Sequence, residues 1–323
     1  MTRILLTGGA GFIGSHLARR LVDREDEVHL VTRETTDITR LEDISSQTAI
    51  HVAELDDGSA LKRIFREARP EAVVHLAATT RPRKNGTVLY DAQCALSDVS
   101  ALLNVLGAAE SATSPPALFM RAGTLAEYGD GPYPYREDQR EQPVTTYGAG
   151  MVAATHLCDV LQKELSFPVI SARLALVYGS GQSNSFLIPQ LLDACLNGGT
   201  MHVRYPEERR DLIHVDDVTS ALVRLIDEPP VNNRTINIAT GKAPTMREVA
   251  NLVMKLTGAP DDCITFGSGT GAHGVSSLVG SPELMQSLYG WGAQIGLEDG
   301  LRGLVEKKRP RTATEDLHLE VMK

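Results

Sequence analysis

Three glycines near the N-terminus are spaced as they are in loops that bind phosphate. The segment TGGAGFIG at 7–14 follows a short apolar run at 3–7 and opens an amphipathic stretch. In a strand–loop–helix context, Gly8 permits a tight turn, Gly11 lets the backbone approach a pyrophosphate, and Gly14 lets helix and strand pack closely. The spacing and its context therefore predict a dinucleotide-binding loop.

The start of the helix and the ends of the next strand-like runs complete this predicted site. Phe12 and Ile13 are expected at the helix N-terminus, where free N–H groups and a partial positive charge attract phosphate. Further cofactor contacts are predicted at Thr32, Arg33, Glu54, Leu55 and Ala77.

The choice between NAD and NADP depends on the end of the second strand-like run. The acidic residue that usually binds the adenine ribose, about 20 residues beyond the glycines, is not at its expected place. Arg33 would suit the 2′-phosphate of NADP, whereas Glu34 or Asp37 would suit NAD. NAD is the expected cofactor, and NADP stays an alternative.

Strand-like and helix-like runs alternate through the first half of the chain. The run AVVHLA at 72–77 is apolar almost throughout, as expected of a strand buried on both faces. Repeated βα units predict an α/β, Rossmann-type fold, with a doubly wound parallel sheet and a second, smaller substrate-binding domain.

The domain boundaries are predicted from where this alternation stops. The dinucleotide-binding domain is expected at 1–172, with a return of the chain at about 212–238. Proline, glycine and short polar loops interrupt the pattern elsewhere, so 173–211 and 239–308 are assigned to the smaller domain. The polar segment 309–323 is expected to be a tail.

Composition excludes several classes of function. The chain has 323 residues and a formal net charge of −9, which argues against nucleic-acid binding. No apolar run of membrane-spanning length and no signal segment is evident, so a cytoplasmic protein without a membrane partner is expected. The four cysteines are widely spaced and expected to be reduced, and no cluster predicts a metal site.

Several motifs together resemble the extended short-chain dehydrogenase/reductase family, and within it the nucleotide-sugar epimerases and dehydratases. The resemblance covers nearly the whole chain. Besides the glycine loop, it rests on VVHLAA at 73–78, GTLAEYG at 123–129, RLALVYG at 173–179, RRDLIHVDDV at 209–218 and LYGW at 288–291.

The resemblance implies a catalytic set with one unusual member. The family's Ser or Thr corresponds to Thr124 and its tyrosine to Tyr147, but Met151 stands where the family has lysine. A free phenol has a pKa near ~10, and a lysine ammonium one helical turn away would stabilise the phenolate. Met151 is therefore expected only to line the cofactor site, and Tyr147 must be activated in another way.

Other implied site residues bind the substrate or move protons. Thr124 is expected at the sugar, Arg210 at the diphosphate and Tyr205 at the nucleobase, where it stacks. Leu187 and His273 are further predicted substrate contacts. The Asp-Glu pair of the 4,6-dehydratases is replaced by Leu125-Ala126, and Glu127 is the candidate acid or base for C5 or C6 of the sugar.

A Tyr-x-x-x-Met sequence in this setting resembles the UDP-N-acetylglucosamine 5,6-dehydratases of antibiotic biosynthesis. The resemblance implies a redox-neutral reaction on a nucleotide-sugar, with oxidation at C4, loss of water across C5–C6, and reduction at C4. It also implies a homodimer. A nucleotide-sugar 4-epimerase and a non-catalytic dinucleotide-binding regulator are the alternatives.

Overall fold

The computed structural model describes residues 1–79, 87–232, 234–269 and 276–309. The first half alternates strands and helices, namely β1 (Arg3–Thr7), α1 (Phe12–Asp23), β2 (Glu27–Thr32), β3 (Thr48–Val52), α2 (Gly58–Ala68), β4 (Ala72–His75), α3 (Val88–Glu110), β5 (Leu118–Thr124), α4 (Thr146–Leu161) and β6 (Val169–Leu174). Short 3-10 turns cover Thr39–Gln47 and Leu125–Glu127.

The second half has shorter strands. Its elements are β7 (Leu176–Tyr178), α5 (Leu187–Asn197), β8 (Met201–Val203), β9 (Arg209–Arg210), β10 (Leu212–His214), α6 (Val215–Asp227), β11 (Thr235–Ile238), α7 (Met246–Thr257), β12 (Ile264–Phe266), β13 (Ser277–Leu278), α8 (Glu283–Tyr289) and α9 (Leu297–Lys308).

Seven strands form one parallel sheet in the order β11-β6-β5-β4-β1-β2-β3. The order reverses between β1 and β4, because the chain first adds strands on one side of β1 and then on the other. Apolar clusters cover both faces, one including α1 and α6 and the other α2, α3 and α4. The predicted doubly wound fold is confirmed, and its switch point puts a ligand crevice beyond the carboxyl ends of β1 and β4.

A third apolar cluster forms the smaller unit. It joins α5, α7 and α9 with the paired strands β8 and β12. Strand β6 crosses the predicted boundary at 172, because it continues in the large sheet to Leu174. Helix α8 lies within the segment 239–308 that was assigned to the smaller domain, yet it packs Met285 into the first cluster. Cys263 lies in the third cluster, with its Sγ 3.7 Å from that of Cys195, and both thiols are free.

Asp211 connects the two units. Its buried carboxylate accepts hydrogen bonds from the backbone N–H groups of Thr240, Gly241 and Gly280 and from the Thr240 hydroxyl. Burial raises the pKa of Asp211, and these hydrogen bonds act against that rise. Asp211 of the RRDLIHVDDV motif therefore fixes loops together instead of facing a ligand.

Helix α3 corrects one expectation from the sequence. Among the described residues, Val88–Glu110 is the one helix long and apolar enough, by length and composition alone, to cross a membrane. Its second half nevertheless packs in the core, where Leu102, Val105 and Leu106 meet α2 and the sheet. This packing is typical of a long core helix in a globular protein.

Candidate active site

The glycine loop between β1 and α1 fits a pyrophosphate. Helix α1 begins after Gly11 with no capping side chain and no acidic residue in its first turn. Gly8 has φ +72, and a Cβ there would lie 2.7 Å from the backbone nitrogen of Ala77. At Gly14 a Cβ would lie 2.2 Å from the carbonyl oxygen of Gly8. The loop therefore leaves helix N–H groups available for phosphate oxygens, and only glycine fits its two tightest positions.

The predicted adenosine contacts lie at the ends of neighbouring strands. The carbonyl of Thr32 accepts a hydrogen bond from Ala53, which places Glu54 beside the end of β2. The carbonyl of Leu55 accepts from Asn104 of α3 at 2.9 Å. The side chains of Arg33 and Glu54 are exposed. Because both side chains are exposed, this region fits the ribose of NAD as well as the 2′-phosphate of NADP. The preference for NAD over NADP at the adenosine end of the site therefore stays a prediction.

A pocket opens where β4 and β5 end beneath α3 and α4. It is lined in part by Ala77, Asp98, Arg121, Tyr147 and Met151. Tyr147 also lines a second, adjacent cleft, together with Thr79, Val88 and Val144. Its phenol therefore stands between the pocket next to the glycine loop and a cleft that leads outward.

Tyr147 occupies the first turn of α4, whose capping residue Thr145 accepts a hydrogen bond from Gly148. Burial raises the pKa of Tyr147 to about 12, and the negative charge of Glu127 acts in the same direction. The positive charge of Arg121 and a hydrogen bond with Thr124 oppose the rise. The phenol is thus held protonated at neutral pH until further positive charge reaches it. The structure brings Thr124 and Tyr147 together, and their catalytic roles stay predictions.

Arg121 is a site residue that the sequence reasoning missed. Its side chain is 2% exposed although it belongs to β5, in the centre of the sheet. Nη1 donates to the hydroxyls of Thr155 and Ser171 at 2.8 and 3.0 Å, and Nη2 lies 3.1 Å from the sulfur of Met151. The sequence does contain a signal for this residue, because Arg121 is the charged residue within the apolar run ALFMRAG. A charged side chain in a strand with no exposed face indicates a buried functional or structural role.

Glu127 lies in the core with both oxygens occupied. Oε1 accepts the backbone N–H of Thr124, and Oε2 accepts the Thr155 hydroxyl and the Arg173 guanidinium, each at 2.8 Å. The residue is 0% exposed. These bonds hold Glu127 inside the core, and the transfer of protons by Glu127 at C5 or C6 stays a prediction. The sequence contains a signal for this structural contact, because Thr-x-x-Glu at 124–127 is a capping-box pattern.

Asp98 is a second acid of the pocket that the sequence reasoning missed. It lies on α3 and accepts hydrogen bonds from the backbone N–H and the hydroxyl of Thr79. Burial raises its pKa, and its charge in turn raises that of Tyr147. Nothing in the sequence separates this aspartate from those on exposed helix faces.

His75 ends β4 at the floor of the pocket. Its Nδ1 is 2.8 Å from the Thr7 hydroxyl, and the ring is buried. Burial, with a smaller effect of the Arg121 charge, lowers the pKa of His75 to about 3. This supports the structural role that its place inside the run AVVHLA indicates.

The lowered pKa of His75 predicts how stability depends on pH. The folded protein resists protonation of this ring, whereas the unfolded chain takes up a proton near pH 6.5. The stabilisation is therefore complete above pH 6.5 and is lost as the pH falls from 6.5 towards 3, with a slope of up to ~1.4 kcal/mol per pH unit. Urea unfolding of the wild type and His75→Gln across this range measures it. Equal slopes for both proteins would contradict the prediction.

Three of the predicted substrate contacts, Leu187, Tyr205 and Arg210, lie in the segment 173–211 that was assigned to the smaller domain. Arg210 is partly buried and forms an ion pair with Glu208, which a diphosphate would have to share or displace. Tyr205 is partly buried beneath Arg204, and Leu187 opens α5 against the third cluster. His273 lies outside the described residues. The roles of all four at a nucleotide-sugar stay predictions.

A glycine loop at the switch point, next to a pocket lined by a tyrosine that contacts Thr124, defines a Rossmann-type protein built for a dinucleotide and a second ligand. The model of the "NAD dependent epimerase/dehydratase family" matches residues 4–239. The chain belongs to this family, and the resemblance read from its motifs is confirmed.

Individual relatives cover almost the whole chain. It is 27% identical to a probable UDP-glucuronate 4-epimerase of Rhizobium meliloti (strain 1021), over 94% of this chain and 96% of that protein. It is also 27% identical to a dTDP-glucose 4,6-dehydratase of Neisseria gonorrhoeae, over 94% of each. The UDP-glucose 4-epimerase of Thermus thermophilus, solved with NAD, superposes with a TM-score of 0.78 at 26% identity, over 94% of this chain and 98% of that one.

Proposed function

We propose that this protein is a redox-neutral, NAD-dependent enzyme that dehydrates UDP-N-acetylglucosamine across C5–C6 through a 4-keto intermediate. The observation that carries the proposal is the pair formed by Tyr147 and Thr124 at a pocket in which residue 151 is methionine. The first step, oxidation of a sugar at C4, fits both the epimerases and the dehydratases among the relatives. The 5,6-dehydration is the finer part of the proposal.

The residues present fit a bound NAD. The glycine loop offers the N–H groups at the start of α1, and the pocket between Ala77 and Met151 continues from it. The Thermus relative was solved with NAD, which supports the same cofactor here. When bound, NAD supplies the redox chemistry at C4 of the sugar.

The chain's own groups would handle the protons. Tyr147, facing the outer cleft, accepts the proton of the C4 hydroxyl as that carbon is oxidised, and returns it when C4 is reduced. Thr124 holds the phenol and the sugar hydroxyl in line. The 4-keto group acidifies the C5 proton, so elimination removes that proton and the C6 hydroxyl, which leaves as water.

A 4-epimerase is the second candidate, and the geometry of Glu127 favours it. Both carboxylate oxygens of Glu127 are bound inside the core, so this acid is not free to act at C5 or C6. Epimerisation needs no acid there, since the 4-keto sugar is only reduced from its other face. The third alternative, a non-catalytic regulator, requires neither Thr124 nor Tyr147 at the pocket.

One experiment separates these functions. The protein is incubated with NAD and UDP-N-acetylglucosamine, UDP-glucose, UDP-glucuronate or dTDP-glucose, and the products are followed by mass and proton NMR. Loss of water with new vinyl protons at C6 supports the 5,6-dehydratase, and an unchanged mass with inverted C4 supports the epimerase. Stoichiometric NADH would contradict both, and binding of NAD without any product would support the regulator.

We further propose that the protein is a cytoplasmic homodimer that associates through α3 and α4. These helices pack against each other and expose apolar side chains on their outer faces. Leu96 is 66% exposed and Val160 is 64% exposed, and Leu103 and Leu157 are further exposed apolar residues of the same two helices. Such a surface on two adjacent helices is typical of an interface between subunits.

The dimer predicts a clear effect of charge on this surface. Val160→Glu combined with Leu103→Glu should convert the dimer to a monomer in sedimentation velocity, because two carboxylates would have to be buried at the interface. Val231→Glu is the control, since Val231 is exposed on a loop outside α3 and α4. An unchanged sedimentation coefficient for the double variant would show that the subunits meet elsewhere, or not at all.

A further inference from the structure

The pocket contains a positive charge, but it comes from the sheet and not from α4. Met151 offers no charge on the helix that presents Tyr147. The guanidinium of Arg121 extends from β5 to the side chain of Met151, with Nη2 3.1 Å from the methionine sulfur. Both side chains line the pocket together with Tyr147. The positive charge that a lysine at position 151 would supply from α4 is thus supplied from β5, by Arg121.

The position of Arg121 is fixed by its surroundings. The strand register places it between His75 of β4 and Ser171 of β6. Thr155 and Ser171 accept hydrogen bonds from Nη1, while the contact of Nη2 is the weakly accepting sulfur. A buried arginine keeps its proton, so this side chain brings a permanent charge into the sheet.

That charge is not cancelled by a carboxylate in direct contact. Among the described residues, no acidic oxygen lies within ion-pair distance of the Arg121 guanidinium. Glu127 is reached only through the Thr155 hydroxyl, which accepts from Arg121 and donates to Glu127 at 2.8 Å. Glu127 itself is paired with Arg173. The field of Arg121 is therefore free to act on the pocket.

We propose that Arg121 is the positioning residue that stabilises the phenolate of Tyr147, supplying from β5 the positive charge that residue 151 cannot supply from α4. This assignment rests on the proposed function only in taking Tyr147 as the proton acceptor. The groups that face Tyr147 from the surrounding elements are Arg121 and Thr124 of β5, Glu127 after β5, and Asp98 of α3. The two carboxylates raise the pKa of the phenol, and Arg121 and Thr124 lower it.

The proposal predicts the direction of change in four variants. Arg121→Met should raise the pKa of Tyr147 by about 1–2 units, because one nearby cation is lost. Asp98→Asn should lower it, as a control of opposite sign at the same pocket. Arg121→Met combined with Met151→Lys should bring it back towards the wild-type value. Met151→Lys alone would put an ammonium against the guanidinium, and should melt at a lower temperature than the double variant.

The readout is the titration of Tyr147 in the NAD-bound protein without substrate. Tyrosine is labelled with ¹³C at Cζ, and the resonance is assigned with Tyr147→Phe. The pH dependence of kcat/KM is then recorded on the same proteins. At neutral pH, Arg121→Met should lose about 10–100-fold in kcat/KM, since each pKa unit corresponds to tenfold in phenolate. The double variant should recover most of that loss.

The outcomes distinguish this proposal from the proposed function. An unchanged Tyr147 titration in folded Arg121→Met would overturn the role of Arg121, whatever the activity. A shift that the double variant does not reverse would also overturn it, because the cause would then be lost packing and not lost charge. Should the shifts occur while the wild type converts no nucleotide-sugar, the proposed function fails and the assignment of Arg121 stands.

Discussion

Tyr147→Phe is expected to reduce turnover of the nucleotide-sugar by about 10³-fold, with little change in NAD affinity. The substitution removes one oxygen from a partly buried side chain and leaves the ring that lines the pocket. Positioned acid–base groups contribute roughly 10²–10⁴-fold to such reactions. The measurement is single-turnover formation of product at saturating substrate, with NAD binding followed by calorimetry.

Tyr133→Phe is the matched control, because Tyr133 is 56% exposed and lies outside the pocket residues. It should retain wild-type turnover. If Tyr147→Phe also turns over at a near-normal rate, the phenol has no part in the proton transfer at C4. The proposed mechanism would then be wrong, although the NAD site would be unaffected.

Gly14→Ala is expected to destabilise the protein by about 3 kcal/mol and to abolish NAD binding. The new Cβ would lie 2.2 Å from the carbonyl oxygen of Gly8 and 2.7 Å from Cα of Gly9, both of them backbone atoms. Such a contact can be relieved only by separating α1 from the loop that binds the pyrophosphate. Overpacking by one methyl group typically costs about 1–3 kcal/mol, and rigid backbone neighbours place this site at the upper end.

Gly107→Ala provides the opposite result within the same fold. Gly107 lies inside α3, and nothing is within 4 Å of its added Cβ. The change should stabilise the protein by about 0.5–1 kcal/mol, since alanine loses less entropy in a helix. Urea unfolding of both variants, with NAD binding as a second measurement, makes the comparison. Equal stabilities for the two variants would contradict the close packing described for Gly14.

The glycine loop and the parallel sheet could be predicted because they depend on local sequence. The positive φ of Gly8 and the contact of Gly14 with the backbone of Gly8 and Gly9 are conditions set by the turn itself. Runs such as AVVHLA at 72–77 show a strand buried on both faces. The second strand-like run, EVHLVT, forms β2 over its full length, Glu27–Thr32. Patterns of this kind need no knowledge of distant parts of the chain.

The chemistry of the pocket could not be predicted in the same way. Arg121 acquires its meaning only when β5 lies beneath α4, which brings it to Met151, 30 residues further along the chain. Asp98 faces the pocket only because α3 crosses it. The sequence predicts Glu127 as an acid or base because it directly follows Leu125-Ala126, which replace the Asp-Glu pair of the 4,6-dehydratases. The fold places its carboxylate in a capping box and in an ion pair with Arg173. The role of a charge in a folded protein depends on its surroundings, and those come from several elements.

Helices α3 and α4 have two faces with different environments. Inward they hold Asp98 and Tyr147 at the pocket, and outward they expose Leu96 and Val160. A molecule bound to this apolar surface, a second copy of the chain included, would contact the same two helices that hold the pocket residues. We expect such binding to affect proton transfer through these helices, without contact with the sugar. Specific activity that varies with protein concentration would be the kinetic sign of such coupling.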